Sequence, residues 1–223
     1  MNASIAVRPP APYLGGKRNL AKRLVAMIAD TPHRTYVEPF VGMGGVFLRR
    51  PAAAAVEVIN DLSGDVANLF RVVRRHYEPF VAELRWLIAS RTEFERQRAL
   101  DPRLLTDIER AVRFLYLQRL AFGGRVVGRT FGVRRDQDSR FNLAALRAEL
   151  KLLRDRLASV TIEQLDYADL IRRYDGPATL FFLDPPYDET TGYGIEFGRD
   201  NYLAMAEQLA DISGRFKIGR AHV

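Results

Sequence analysis

The chain has 223 residues, enough for one sizeable domain with an insertion, and its 48% hydrophobic content is ordinary for a globular protein. It lacks cysteine, its three histidines show no ligand spacing, and it has neither an 18-residue apolar run nor a signal-peptide pattern, so we expect no disulfide, no metal, no membrane contact and a cytoplasmic location. The net charge of +7 is concentrated in residues 71–161, where 20 basic and 11 acidic side chains give +9, against −2 elsewhere.

The first part of the chain alternates helix-like and strand-like segments. Apolar spacing predicts a helix over residues 20–29, then a short strand at 35–37 and a glycine-rich turn leading into a second helix near Gly45. A second buried strand is predicted at 54–59, and another helix from about Ser63. This alternation is typical of a parallel α/β sheet.

The alternation stops near Arg75 and returns after about Leu157. The intervening stretch is helical and rich in arginine, and strands are predicted again at 160–162 and at the apolar run 179–183. We therefore predict a doubly wound α/β domain interrupted by a helical insertion. A basic insertion fits a phosphate backbone, although a charge run alone is more often only a solvated helical surface.

The motif Asp184-Pro185-Pro186-Tyr187 directly follows the apolar strand. Ligands of open α/β sheets bind at the carboxyl ends of strands, and two consecutive prolines end both ladder and helix. We interpret the motif as a site for a flat, extruded base: Tyr187 would stack, and Asp184 with the Pro185 carbonyl would accept hydrogen bonds from an exocyclic amine. A plain Pro-Pro loop is the structural alternative.

The glycine-rich turn is the second motif. Gly42 and Gly44 would let the backbone approach a ligand closely, but Phe47 stands where a dinucleotide-binding fold needs its third glycine. The pattern therefore disfavours a nicotinamide enzyme. After the second predicted strand, Asp61 is suited to ribose hydroxyls, with a helix cap or turn residue as the equal alternative.

With these motifs in order, the chain resembles the Dam-like family of DNA adenine-N6 methyltransferases. Residues 12–17 are similar to the family's opening Gly-Gly-Lys motif, residues 36–47 to its cofactor loop, and residues 114–119 to part of its recognition region. The resemblance implies a Rossmann-like, S-adenosylmethionine-dependent methyltransferase fold. Its catalytic domain would comprise residues 1–70 and 158–223, and residues 71–157 would form a helical DNA target-recognition insertion.

The resemblance also implies residue roles. Lys17 is suited to the cofactor's carboxylate, Asp61 to its ribose hydroxyls and Asp166 to its adenine amino group. The catalytic set would transfer the methyl group directly to N6 of a flipped-out adenine, without a metal. The implied cofactor-binding residues are Tyr13, Lys17, Glu38, Phe40, Gly42, Gly44, Asp61, Asp166 and Asp184, and the implied catalytic residues are Asp184, Pro185, Pro186 and Tyr187.

The insertion is expected to bind double-stranded DNA. Phe122 aligns with an aromatic residue that some relatives insert into the duplex, with core packing as an equal alternative. GATC-specific relatives have Asn then Gly after that aromatic and Arg three residues further on; here Gly123, Gly124 and Val127 occupy these positions, which disfavours GATC. The candidate DNA-binding residues are Phe122, Arg119, Arg125 and Arg129.

The last residues depart from the family pattern. Relatives continue well past the D-P-P-Y motif, whereas 36 residues follow Tyr187 here, predicted as a helix over 200–212 and a strand from Phe216. The final six residues, 218–223, read like one frame of a widely used sequencing adapter. Our hypothesis is that they are an artefact and that the natural sheet continues.

Two alternatives stay open. A cytosine-N4 methyltransferase would share the fold, although such relatives more often carry Ser than Asp before Pro-Pro-Tyr. A catalytically silent DNA-binding relative is the second alternative, and cofactor binding would distinguish it. We further expect a monomer of bacterial or phage origin, with a cognate restriction endonuclease as a partner to look for.

Overall fold

The structure is a computed structural model that describes residues 6–17, 19–132, 139–186 and 197–219. Within these ranges the chain forms eight α-helices and five β-strands. The strands are β1 Thr35–Glu38, β2 Val56–Asn60, β3 Thr161–Glu163, β4 Thr179–Leu183 and β5 Arg215–Ile218. The helices are α1 Ala21–Ala29, α2 Gly64–Arg75, α3 Tyr77–Leu84, α4 Arg91–Ala99, α5 Asp107–Leu120, α6 Leu143–Arg156, α7 Tyr167–Tyr174 and α8 Arg199–Ala210.

The five strands form one parallel sheet in the order β3-β2-β1-β4-β5. On one side of β1, Val37 aligns with Val58 of β2, and on the other side with Phe181 of β4. The chain therefore winds outward from β1 in both directions, and the predicted doubly wound α/β class is confirmed.

Both faces of the sheet are buried, so its strands alternate between two apolar clusters rather than between core and solvent. Ile59 and Leu180 belong to the cluster that faces α2 and the insertion. Val37, Phe181 and Leu183 belong to the cluster on the opposite face, which α7 and α8 cover. This two-sided burial explains the continuous apolar run of β4, whose five residues are all buried.

The insertion packs around α5, a helix with nine buried residues out of fourteen. Its start is fixed by a capping box between Thr106 and Glu109. α5 packs against α2, α3 and α4, so the insertion shares a core with the catalytic part of the chain. The predicted boundary between residues 70 and 71 falls inside α2.

A buried ion-pair triad ties the insertion to the sheet. Glu57, at the start of β2, accepts hydrogen bonds from Arg50 at 2.8 Å and from Arg156 of α6 at 2.5 and 2.9 Å. All three side chains are almost fully buried. The Arg156 guanidinium also lies 4.1 Å from the centre of the Phe47 ring.

Two predicted helix positions differ from the structure. The segment after Gly45 forms only a short 3₁₀ helix, Phe47–Arg49, because Pro51 disfavours a helical conformation for the residue before it. Helix α7 was not predicted, because its eight residues give too short an amphipathic pattern. In the part of the chain that the structure describes, no helix combines the length and the apolar character needed to cross a membrane.

Candidate active site

The polar residues singled out in the sequence come together at the carboxyl edge of the sheet. Glu38 ends β1, Asp61 follows β2, and Asp184 follows β4. Because β1 lies between β2 and β4, this edge is the point where the winding of the sheet reverses and where open α/β sheets leave a crevice.

A cavity of about 800 Å³ opens at this edge. Its walls come from the opening segment (residues 10–17), the loops after the strands, and the start of α8. The sequence-predicted residues that line it are Tyr13, Lys17, Glu38, Phe40, Gly42, Asp61, Arg119, Asp166, Asp184 and Pro186.

Lys17 and Asp184 form an ion pair inside this cavity. The Lys17 Nζ lies 2.7 Å from the Asp184 Oδ2 and also donates to the Gly15 carbonyl at 2.9 Å. Burial raises the pKa of Asp184 to about 6, although the Lys17 charge and hydrogen bond act to lower it. Lys17, predicted to hold the cofactor's carboxylate, thus contacts the predicted catalytic carboxylate.

Glu38 is a buried carboxyl group held by one neighbouring hydroxyl. Its Oε2 accepts a hydrogen bond of 2.8 Å from the Tyr36 hydroxyl. Burial raises the pKa of Glu38 to about 8, the Tyr36 hydrogen bond opposes this rise, and the Asp184 charge adds to it. A cation bound in the cavity would therefore find here a carboxyl group that it could ionise.

Asp61 is fixed by backbone amides at both carboxylate oxygens. Oδ2 accepts from the Gly42 N–H at 2.8 Å, and Oδ1 accepts from the Ser63 N–H at 2.9 Å. Burial raises the pKa of Asp61 to about 6, while these two hydrogen bonds lower it. The carboxylate is thereby oriented on the cavity wall, where its remaining lone pairs can accept from hydroxyl groups.

Gly42 and Gly44 both have positive φ, 49° and 73°. A Cβ on Gly42 would lie 2.9 Å from the Tyr13 ring, and one on Gly44 would lie 2.7 Å from the Leu48 side chain. The close approach that the glycines permit is therefore to the protein's own side chains. Through Gly42, the Tyr13 ring packs on the turn whose amide holds Asp61.

Aromatic rings form another wall. Phe40, Tyr167 and Phe197 have ring centres 5.5–5.6 Å apart, and Tyr202 packs 5.0 Å from Phe197. The Tyr202 hydroxyl donates to the Pro186 carbonyl at 2.5 Å, which holds the proline turn from α8. Phe197 and Tyr202 were missed at the sequence level because they lie beyond the motif, with no spacing that points back to it.

Asp166 caps α7 by accepting from the Ala168 N–H at 2.8 Å, and it is exposed at the cavity wall. Pro185 is buried behind Asp184. Tyr187 lies outside the described residues. Within the described ranges, no cluster of three or more acidic, histidine or cysteine side chains could hold a metal ion.

The predicted DNA-binding residues divide into two groups. Phe122 is 67% exposed and Arg125 is exposed, both on a loop from Phe122 to Phe131. Hydrogen bonds from the Phe122 N–H to the Thr130 carbonyl, 2.9 Å, and from the Gly132 N–H to the Leu120 carbonyl, 2.8 Å, close this loop. We call it the Phe122–Phe131 loop.

Arg119 and Arg129 instead point into the protein. The Arg119 Nη1 donates to the Pro10 carbonyl at 2.6 Å and contacts Glu149 at 3.1 Å. Arg129 is 8% exposed and donates to Gln118 at 3.1 Å. Both guanidinium groups are engaged within the fold.

The sheet, its reversal at β1 and the acidic cavity at its carboxyl edge define a Rossmann-like methyltransferase fold. The family model for D12 class N6 adenine-specific DNA methyltransferases matches residues 13–212. The chain belongs to this family. The predicted family, fold class and adenine-specific DNA methyltransferase class are confirmed.

Named relatives agree with this assignment. The chain is 26% identical to a DNA adenine methylase of Haemophilus influenzae over 226 residues, 92% of this chain and 74% of the relative. It is 29% identical to the type II methyltransferase M1.LlaDCHI of Lactococcus lactis over 129 residues, 54% of this chain and 43% of the relative. It is 24% identical to a DNA N-6-adenine-methyltransferase of Escherichia phage P1 over 215 residues, 90% of this chain and 27% of the relative. The chain thus spans less than half the length of the latter two.

Proposed function

We propose that this protein transfers a methyl group from S-adenosylmethionine to the N6 amine of an adenine flipped out of double-stranded DNA. One observation carries the proposal. The Asp184 carboxylate, at the tip of β4 and 2.7 Å from Lys17, opens into the same cavity as Glu38 and Asp61. A base-binding carboxylate and a nucleoside-binding wall therefore face each other.

The donor set of the cavity fits the cofactor. Asp61 is suited to ribose hydroxyls, Glu38 to the methionyl ammonium, and Phe40 with Tyr167 to a flat ring next to Asp166. Its volume of about 800 Å³ lies in the upper part of the usual ligand-pocket range of about 300–1,000 Å³, which leaves room for a base as well. When bound, S-adenosylmethionine supplies an electrophilic methyl group.

The chain's own residues would prepare the amine. The adenine N6 lone pair is delocalised into the ring and is a poor nucleophile. Hydrogen bonds from N6 to the Asp184 carboxylate and to the Pro185 carbonyl would favour a tetrahedral nitrogen with its lone pair available. Lys17 keeps Asp184 ionised and oriented, and the Tyr202 hydroxyl holds the Pro186 carbonyl. Catalysis then depends on positioning and preorganised charge rather than on a strong base.

DNA would be contacted from the insertion side. The Phe122–Phe131 loop presents Phe122, Arg125 and the 54% exposed Val127, which suits a wedge in the duplex with a phosphate contact beside it. Arg119 and Arg129 are not part of this proposed surface, because both are engaged inside the protein.

We also propose that the chain acts as a monomer in a bacterial or phage-infected cytoplasm, where its DNA substrate is found. Every residue of the proposed site comes from one chain. A cognate restriction endonuclease is the partner to look for, since one relative carries a type II methyltransferase name.

Incorporation of tritiated methyl groups into unmethylated duplex DNA tests the proposed function. We expect Asp184→Asn to lower turnover by roughly 100-fold or more, the range for a positioned acid–base group, with binding of DNA and S-adenosylhomocysteine preserved. Asp169→Asn, on the exposed face of α7, is the matched control and should retain turnover. Near-normal turnover by Asp184→Asn would contradict the proposal.

A further inference from the structure

Gln118 of α5 is fully buried, and its side-chain amide joins three parts of the molecule. Nε2 donates to the Gly124 carbonyl at 2.6 Å and to the Pro12 carbonyl at 2.9 Å. Oε1 accepts from the Arg129 Nη2 at 3.1 Å. Both N–H donors are used on carbonyls and the oxygen faces a cation, so the opposite amide orientation would place like dipoles together.

The loop and the opening segment also touch through their backbones. The Leu14 N–H donates to the same Gly124 carbonyl at 3.1 Å. Gly124 has φ +69°, and a Cβ there would lie 3.0 Å from the Tyr13 nitrogen. A side chain at Gly124 would therefore separate the Phe122–Phe131 loop from the opening segment.

The opening segment continues this contact into the cavity. The Tyr13 ring packs on Gly42, and the Gly42 amide holds Asp61. Four residues after Tyr13, Lys17 is paired with Asp184. A continuous set of contacts thus runs from the exposed loop to both the nucleoside wall and the catalytic carboxylate.

Arg129 makes the arrangement of this loop costly to change. It is buried, its Nε has no hydrogen-bond partner, and its guanidinium lies 5.3 Å from the centre of the Phe114 ring. Burial lowers the pKa of Arg129 to about 10, and the Arg113 charge lowers it further. Gln118 is therefore an important acceptor for a cation that is poorly compensated inside the fold.

We propose that Gln118 is a positioning residue that couples the Phe122–Phe131 loop to the cofactor side of the active site, so that duplex DNA and the cofactor bind with positive cooperativity. The inference rests on the proposed function. Because coupling between two ligands is reciprocal, DNA held by the loop tightens cofactor binding by the same factor as the cofactor tightens DNA binding.

Calorimetry with S-adenosylhomocysteine, with and without an unmethylated duplex, tests the coupling on the full chain. We expect the duplex to raise affinity by about fivefold or more, the lower end of the usual range for coupled sites. In Gln118→Met, which keeps the side-chain length but removes the amide, the ratio should fall close to one. Tyr116→Phe is the matched control: it removes a buried hydroxyl of the same helix that donates to the Ile88 carbonyl at 2.8 Å, away from the loop, and should keep the native ratio.

Hydrogen–deuterium exchange of residues 12–17 gives a readout that a merely structural role would not move. The duplex should slow exchange there in the native chain and in Tyr116→Phe, but not in Gln118→Met. Gly124→Ala tests the same contact from the loop side if Gln118→Met does not fold, and it should also lower the affinity ratio.

The outcomes separate the two claims. An unchanged ratio in the folded Gln118→Met or Gly124→Ala chain, or a native ratio of one when both ligands bind, would overturn the coupling and leave the proposed function standing. If the native chain binds no S-adenosylhomocysteine at all, the proposed function fails and the inference falls with it.

Discussion

The Lys17 ammonium lies 2.7 Å from the Asp184 carboxylate at the carboxyl edge of the sheet. The pair joins the first motif of the chain to the last one, across the whole insertion. Lys17 is 6% exposed and Asp184 is 19% exposed, so solvent screens their interaction only weakly. The pair therefore sets the ionisation of the carboxylate that we propose binds the target amine.

Replacing Lys17 by Met should shift the acidic limb of the kcat–pH profile to higher pH. Burial already raises the pKa of Asp184 to about 6, and Lys17 acts to lower it, so loss of the lysine raises that pKa further. Transfer needs the ionised carboxylate, so activity near pH 6 should fall more than activity near pH 8. Lys22→Met, on the exposed face of α1, is the control. An unmoved limb would mean that Lys17 does not act through Asp184.

Cofactor affinity should rise with pH below about 8 because of Glu38. Burial raises the pKa of Glu38 to about 8, with Tyr36 and Arg50 opposing the rise and Asp184 and Glu57 adding to it. Binding of an ammonium group beside Glu38 would favour its ionised form and release a proton. The dissociation constant of S-adenosylhomocysteine should fall by at most about tenfold per pH unit up to that pKa and then level off.

Calorimetry in buffers of different ionisation enthalpy measures this proton release directly. Glu38→Gln should flatten the pH dependence. By the same linkage, the raised pKa of Glu38 stabilises the unliganded fold fully only below its unfolded value and loses that contribution as pH rises through about 8. A native affinity that is flat between pH 6.5 and 8 would contradict the assignment.

The strands were predictable from the sequence, and several contacts that complete the site were not. β4 is an unbroken apolar run and matches its predicted bounds, because a strand buried on both faces leaves a clear pattern. Asp61 and Asp184 could be placed at the same edge because parallel strands end together. The partner of Lys17 could not be predicted, since the pairing depends on how the opening segment folds over the sheet.

The arginines of the insertion show why charge alone is a weak guide. The sequence pattern does not indicate which side of a buried helix an arginine faces. Arg119 and Arg129 turn inward to carbonyl and amide groups, whereas Arg125 is exposed on the loop. Part of the +9 charge of residues 71–161 thus serves the fold itself.

Glu57→Gln should strongly destabilise the fold. It would leave Arg50 and Arg156 buried with an uncompensated positive charge, and breaking a buried ion pair by removing one partner costs about 3–5 kcal/mol. The free energy of unfolding in urea measures the loss. Glu149→Gln, a partly exposed carboxylate paired with Arg119, is the control and should cost much less. Equal costs would show that the triad contributes no special stability.

Arg125→Gln should weaken DNA binding and reduce its salt dependence. One lost phosphate contact lowers the slope of log affinity against log salt by about 1. Arg96→Gln, which removes an exposed arginine of α4, is the matched control. If the slope is the same in Arg125→Gln as in the native chain, the Phe122–Phe131 loop does not lie on the DNA backbone.

Mass spectrometry of nucleosides from treated DNA tests the central claim most directly. Unmethylated duplex DNA incubated with the protein and isotope-labelled S-adenosylmethionine is digested, and the label is measured in each modified nucleoside. We predict label in N6-methyladenine and in no other nucleoside, with the signal lost in Asp184→Asn. Label in N4-methylcytosine, or N6-methyladenine that persists in Asp184→Asn, would contradict the account.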